Sequence, residues 1–169
     1  MSEFHIRWLI RRDMPEVLDI ERNMFEFVWS EDDFIRCLRQ RNCIGMCADL
    51  DDKLVGYMIY ELHKRRLHLL NLAVHPDYTR QKIGTKMIEK LQNKLNSGKR
   101  ERIMLELREK NLVGQLFFKS LGFLATGVLK DFYNDTTEDA YRMEYRLMPT
   151  LKTNEFSPIN RVSNLLQSE

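Results

Sequence analysis

Between Leu69 and Leu95 the chain changes its hydrophobic period once, and that change commits it to a strand, a tight turn and a helix. Leu69 to Val74 is an apolar run of strand length that ends at His75-Pro76-Asp77. From Gln81 to about Asn96, Ile83, Met87, Ile88, Leu91 and Leu95 fall three or four apart, the spacing of one helix face, and Gly98 marks the stop. The turn between the two periods carries Arg80 and Lys82 beside Gly84. Backbone N–H groups at a helix start have no intrahelical partner and lie at the positive end of the helix dipole, so they attract anions. We read Arg80 to Thr85 as a cradle for a pyrophosphate.

The flanking sequence supplies more elements of both kinds. Phe4 to Ile10 alternates like a strand, Asp13 is placed to cap a helix with Pro15 in its first turn, and Ser30 precedes three acids at a second helix start. Ile44 to Leu50 and Leu54 to Leu62 read as a hairpin turning at Asp51-Asp52-Lys53, and Leu67 to Val74 as the next, more central strand. Arg102 to Leu107 is a short strand, and Leu112 to Leu121 a helix whose apolar face is Leu112, Leu116 and Phe117. Phe123 to Leu129 and Ala140 to Leu147 close the order around a polar loop. A hairpin-rich half feeding a strand–helix–strand crossover predicts a mixed α+β domain, one sheet with helices on both faces. We place the domain at residues 1–148 and a polar tail at 149–169.

Composition narrows the class without choosing the function. The 169 residues suffice for one buried core, and a net charge of +2 with interleaved signs gives no general case for nucleic acid. The short basic turns His63-Lys64-Arg65-Arg66 and Lys99-Arg100-Glu101-Arg102 lack stacking aromatics and read as solvated turns. No apolar run approaches the roughly 20 residues that span a bilayer, and the basic N-terminus lacks a long apolar segment. The three cysteines, Cys37, Cys43 and Cys47, have no framework spacing, which fits free buried thiols and a cytoplasmic setting. His63 and His68 lack the tight pairing of a zinc site in sequence, and we expect no metal.

One carboxylate stands out. In Ile103-Met104-Leu105-Glu106-Leu107-Arg108, alternation sends Ile103, Leu105 and Leu107 to one face and Met104, Glu106 and Arg108 to the other. A carboxylate in an apolar strand is costly to bury unless it is paired or borders a cleft. Two readings stand: a general base for an amine, its pKa pushed up by desolvation, or a salt bridge to Arg108 or to a cation on the next strand.

Four motifs in order carry a resemblance. Val74-His75-Pro76, Arg80-Gln81-Lys82-Ile83-Gly84, Leu105-Glu106-Leu107-Arg108 followed by Asn111, and Phe118-x-x-Leu121-Gly122-Phe123 resemble the GNAT superfamily of acetyl-CoA-dependent N-acetyltransferases. Within it they look most like the ribosomal-protein alanine N-acetyltransferase group. The resemblance covers roughly residues 4 to 147. It implies a mostly antiparallel sheet of about seven strands and acetyl-CoA as cosubstrate. Leu72, Ala73 and Val74 would splay from the neighbouring strand toward the pantetheine arm. Arg80, Gln81, Lys82, Ile83, Gly84 and Thr85 would wrap the pyrophosphate, Asn111 would bond the arm near the thiol, and Phe118 would lie at the thiol end. Glu106 would accept the proton of the amine.

The chain departs from the family pattern twice. Lys82 stands where the loop usually has glycine; we expect lysine to keep a helical backbone there and add charge. Phe118 stands where a tyrosine commonly protonates the departing thiolate, and phenylalanine has no proton to give. Tyr133 matches a family tyrosine near the incoming N-terminus. It is a candidate acid, although we read it first as a substrate contact, with water protonating the thiolate. Phe27 and Trp29 border the family's acceptor groove, though aromatics before a helix more often staple the core. The expected acceptor is a protein N-terminus, with a small amine or lysine as alternatives and a non-catalytic acetyl-CoA sensor as the non-enzyme reading. Nucleic-acid and membrane partners are not expected, and the chain should be a monomer or weak dimer.

Overall fold

The computed structural model describes residues 2–148, so the tail expected over 149–169 lies outside the described residues. Strand β1 (Phe4–Trp8) leads through a 3-10 turn to α1 (Met14–Met24) and α2 (Glu31–Leu38). Strands β2 (Cys43–Leu50), β3 (Lys53–Leu62) and β4 (Arg66–Val74) follow as a meander. Helix α3 (Ile83–Gln92) crosses to β5 (Arg102–Arg108), and α4 (Leu112–Ser120) precedes β6 (Leu124–Tyr133) and β7 (Glu138–Arg146). The seven strands form one sheet in the order β1-β2-β3-β4-β5-β7-β6. Among the described strands only β4 and β5, joined through a helix, run parallel.

Alternation along the strands feeds two apolar layers. On one face, Met58, Tyr60, Leu67, Leu69, Ile103 and Leu105 pack against Ile83, Met87, Ile88 and Leu91 of α3 and Phe118 of α4. On the other, Cys43, Cys47, Tyr57 and Ile59 pack against Val17 and Ile20 of α1 and Phe34 of α2. Both layers are needed because a central strand exposes two faces. Ser30 caps α2 as expected: its hydroxyl accepts from Asp33 N at 3.1 Å, while the Asp33 carboxylate accepts from Ser30 N at 2.8 Å.

Several local expectations are corrected. Asp13 occupies the N-cap position of α1, but its side chain turns back to accept two bonds from the Arg7 guanidinium at 2.8 Å and one from Ile10 N. Burial pushes this carboxyl up, but Arg7 and Ile10 together hold it below the usual range. Helix α3 stops at Gln92, and Leu95 reaches the core through a tighter turn in which its N–H bonds Gln92. In α4 the buried residue is Phe118, edge-on to Phe117 and Phe123, while Leu112 and Leu116 face outward. Pairing with β7 carries β6 through Lys130 to Tyr133, so the polar loop shrinks to a turn at 134–137.

Candidate active site

The cradle is shaped by two left-handed residues. Arg80 has φ +65° and Lys82 φ +62°, so the chain reverses sharply before α3. The expected helical lysine is therefore corrected: Lys82 takes the conformation that favours glycine, at a cost of about 1–2 kcal/mol. Among the described residues no side chain caps α3, which leaves its first-turn N–H groups without a side-chain acceptor there. Gly84 lies tight beneath α4: a Cβ there would meet Phe117 Cζ at 3.3 Å. Left-handed turn residues running straight into a helix start are a backbone arrangement that can receive an anion.

From the cradle, β4 leads back to the buried carboxylate. Its pairing with β5 covers only Arg66 to His68 against Arg102 to Met104. Beyond His68 the strands part, so Leu72, Ala73 and Val74 keep β3 on one edge and, among the described residues, have no strand on the other. His68 to Val74 spans about 20 Å at a strand's rise. Asn111 stands at the head of α4, where its Oδ1 accepts from Gly114 N at 2.9 Å. That geometry leaves its amide N–H₂ free to donate.

Glu106 sits at the point of divergence. Its Oε2 is 2.6 Å from His68 Nε2, and its Oε1 accepts from Arg142 Nη2 at 3.4 Å. The ion-pair reading of the sequence thus holds, with Arg142 directly across β5–β7 as the cation rather than Arg108. The expected upward pKa is corrected as well. Burial does push the carboxyl up, but the hydrogen bond and charge of His68 with the charge of Arg142 outweigh it, and the group titrates below its ordinary value. Glu106 is ionised at neutral pH.

Arg108 instead organises the cleft beside it. Its guanidinium lies 4.1 Å from the Phe27 ring centroid and 3.9 Å from that of Tyr133, bonds Asp135 Oδ2 at 2.8 Å and pairs with Glu138 at 3.6 Å. This stack joins the α1–α2 connection to the β6–β7 turn. Burial raises the Tyr133 hydroxyl's pKa, and nearby Glu106 adds to that, so the phenol keeps its proton. Trp29 packs against Phe34 at 5.2 Å, the core-staple reading, whereas Phe27 is exposed on the cleft side. The loop acids are occupied: Asp135 and Glu138 by Arg108, Asp139 by Lys130 at 3.0 Å. Phe118, on the inner face of α4, is buried in the core.

Sequence reasoning missed three residues. His68 and Arg142 meet Glu106 only through strand pairing, and alternation within a polar–apolar strand was their only signal. Glu21, 1% exposed, accepts from Trp29 N at 2.9 Å, Asn71 Nδ2 at 3.0 Å and the Tyr57 hydroxyl. A lone acid on the inner face of α1 is its trace in the sequence. The two histidines set aside on spacing also need correction: His63 and His68 come together across the β3–β4 turn, with ring centroids 6.1 Å apart. Among the described residues no helix is long and apolar enough to cross a membrane.

Known proteins share this fold and parts of this sequence. The profile of the family described as "Acetyltransferase (GNAT) family" matches residues 14–123. The [ribosomal protein bS18]-alanine N-acetyltransferase of Escherichia coli strain K12 is 29% identical over 133 residues, which is 78% of this chain and 89% of the relative. The crystal structure of the Escherichia coli ribosomal-protein-S18-alanine N-acetyltransferase superposes with a TM-score of 0.77 at 26% identity, covering 91% of this chain and 100% of that one. Arabidopsis thaliana NAA60, solved in complex with acetyl-CoA, shares the fold at a TM-score of 0.74 and 16% identity, over 86% and 100% of the two chains.

Proposed function

The chain belongs to the GNAT acetyltransferase family, and from that premise we propose that it transfers acetyl from acetyl-CoA to the N-terminal α-amine of a protein, of the ribosomal-protein alanine type. The observation that carries the reading is the continuous track from the anion cradle at Arg80–Thr85, along the unpaired edge of β4, to the ionised Glu106 held by His68 and Arg142. The names of the relatives support the choice of a protein terminus over a small amine.

Each residue then has a task. First-turn N–H groups of α3, with Arg80 and Lys82, take the pyrophosphate. The free edge of β4 at Leu72–Val74 takes the pantetheine arm by strand-like bonds, and the Asn111 amide donates to it. The acceptor arrives as an ammonium, which has no lone pair to attack with. Glu106, directly or through one water, takes that proton; its depressed pKa makes it a weak base, so the imidazole of His68 at its Oε2 shares the charge. The neutral amine attacks the thioester carbonyl, β4 N–H groups stabilise the oxyanion, and as the C–S bond breaks the nitrogen's surplus proton passes through water to the departing thiolate. Tyr133 and Phe27 contact the acceptor, and Phe118 anchors α4 to the core.

The test is a thiol-release assay with acetyl-CoA and short peptides beginning Ala, Ser or Met, beside polyamines and N-blocked lysine peptides, with mass spectrometry locating the acetyl group. The expected product is an α-acetylated Ala or Ser peptide. Transfer confined to polyamines or lysine side chains would overturn the choice of acceptor.

A further inference from the structure

Beside the transfer track, and sharing His68 with it, three side chains of types that ligate metals converge where β3 turns into β4. Glu61 and His68 are directly opposed partners of the two strands, and His63 lies in the turn between them. Glu61 Oε2 is 2.8 Å from His63 Nε2 and 3.8 Å from His68 Nδ1, and the three donor atoms all lie within 4.8 Å of one another. Tetrahedral bonds of about 2.0–2.1 Å hold ligand atoms about 3.3 Å apart, so modest rotation of the imidazoles brings the trio to coordinating distance. All three side chains are half-buried, which limits the entropy lost on fixing them while leaving a path for an ion.

The donor chemistry selects the ion. Two imidazole nitrogens and one carboxylate oxygen suit zinc and its borderline neighbours and disfavour magnesium or calcium, which demand oxygen ligands. His68 also has the arrangement common to metal-bound histidines, in which the second ring nitrogen donates to a carboxylate. In the neutral imidazole whose Nε2–H lies on Glu106 at 2.6 Å, the Nδ1 lone pair faces the Glu61 oxygen 3.8 Å away. A cation between those two acceptors, a proton or a metal ion, satisfies both.

We propose that Glu61, His63 and His68 form a site for one divalent transition-metal ion, with Zn²⁺ as its probe, and that an ion there slows acetyl transfer by fixing His68 and drawing charge from Glu106. The second half rests on the role of Glu106 proposed above.

Calorimetric titration of the full chain with Zn²⁺, joined to X-ray absorption of the bound ion, tests the site. We expect one ion per chain with only nitrogen and oxygen ligands. Loss of an outer-shell partner alone weakens metal sites about 10–100-fold, so His63→Ala and Glu61→Gln should each weaken binding by at least about tenfold. Cys37→Ser is the control, because Cys37 and Cys43 sulfurs lie 3.4 Å apart and offer Zn²⁺ a rival thiol site; it should leave the titration unchanged. Binding no tighter than about 1 mM, sulfur in the coordination shell, or insensitivity to both ligand variants overturns the site. Turnover should fall with the same Zn²⁺ midpoint in the wild type, while His63→Ala keeps basal turnover and loses the sensitivity. Zn²⁺ binding as expected with turnover unchanged overturns the coupling to Glu106. Absence of turnover on every amine leaves the titration to decide the site and counts against the proposed function alone.

Discussion

Glu106 illustrates how opposing terms of similar size decide one residue's chemistry. Burial disfavours its charge, while the hydrogen bond from His68 and the positive charge of Arg142 favour it, and the partners prevail. Replacing the carboxylate with Glu106→Gln should lower kcat/KM by about 10²–10⁴ and leave acetyl-CoA affinity unchanged, as read by thiol release and equilibrium binding. Arg142→Met probes the same balance. Removing a cation destabilises the carboxylate, so the pKa of Glu106 rises and the acidic limb of the kcat/KM profile moves to higher pH. An unmoved limb would mean that His68 alone sets the titration.

At the scale of elements, the cradle departs from simple helix-start chemistry. A non-glycine residue at φ +62° costs about 1–2 kcal/mol, while glycine loses about 0.5–1 kcal/mol more entropy on folding. The difference favours glycine, and Lys82→Gly should stabilise the chain by about 0.5–1 kcal/mol in urea unfolding. The lost charge should weaken acetyl-CoA binding about two- to fivefold, the range of one exposed ion pair. The turn was legible in the sequence as a basic stretch before an amphipathic helix. Its left-handed geometry was not, because lysine gives no local sign of φ. Asp13 teaches the same lesson: its place before α1 was read correctly, but its carboxylate chose Arg7 on β1, a partner that only the packed sheet supplies.

Across the whole molecule, Glu21 ties the cleft together. From α1 it binds the backbone of Trp29 in the α1–α2 connection, Tyr57 on β3 and Asn71 on β4. Glu21→Ala would leave two buried donors, on Tyr57 and Asn71, and the half-buried Trp29 N–H without an acceptor, each buried one worth about 1–3 kcal/mol. The expected loss is about 3 kcal/mol or more, measured by denaturant unfolding. Because the same connection presents Phe27 to Arg108, turnover on peptides should fall more than acetyl-CoA binding does. Equal loss of both would place the effect on global stability instead.

Hydrophobic period alone determined the element order, the two-faced sheet and the position of the tight turn before α3, since each rests on contacts within a few residues. The same alternation singled out Glu106 on its strand. Tertiary structure decided what that carboxylate is: β4 brought His68 to it, β7 brought Arg142, and their sum turned an expected raised pKa into a lowered one. It also decided which face of α4 is buried and drew Glu61, His63 and His68 into one cluster. Those outcomes depend on register between strands, and register is fixed by the packing of the whole sheet rather than by any segment's own pattern.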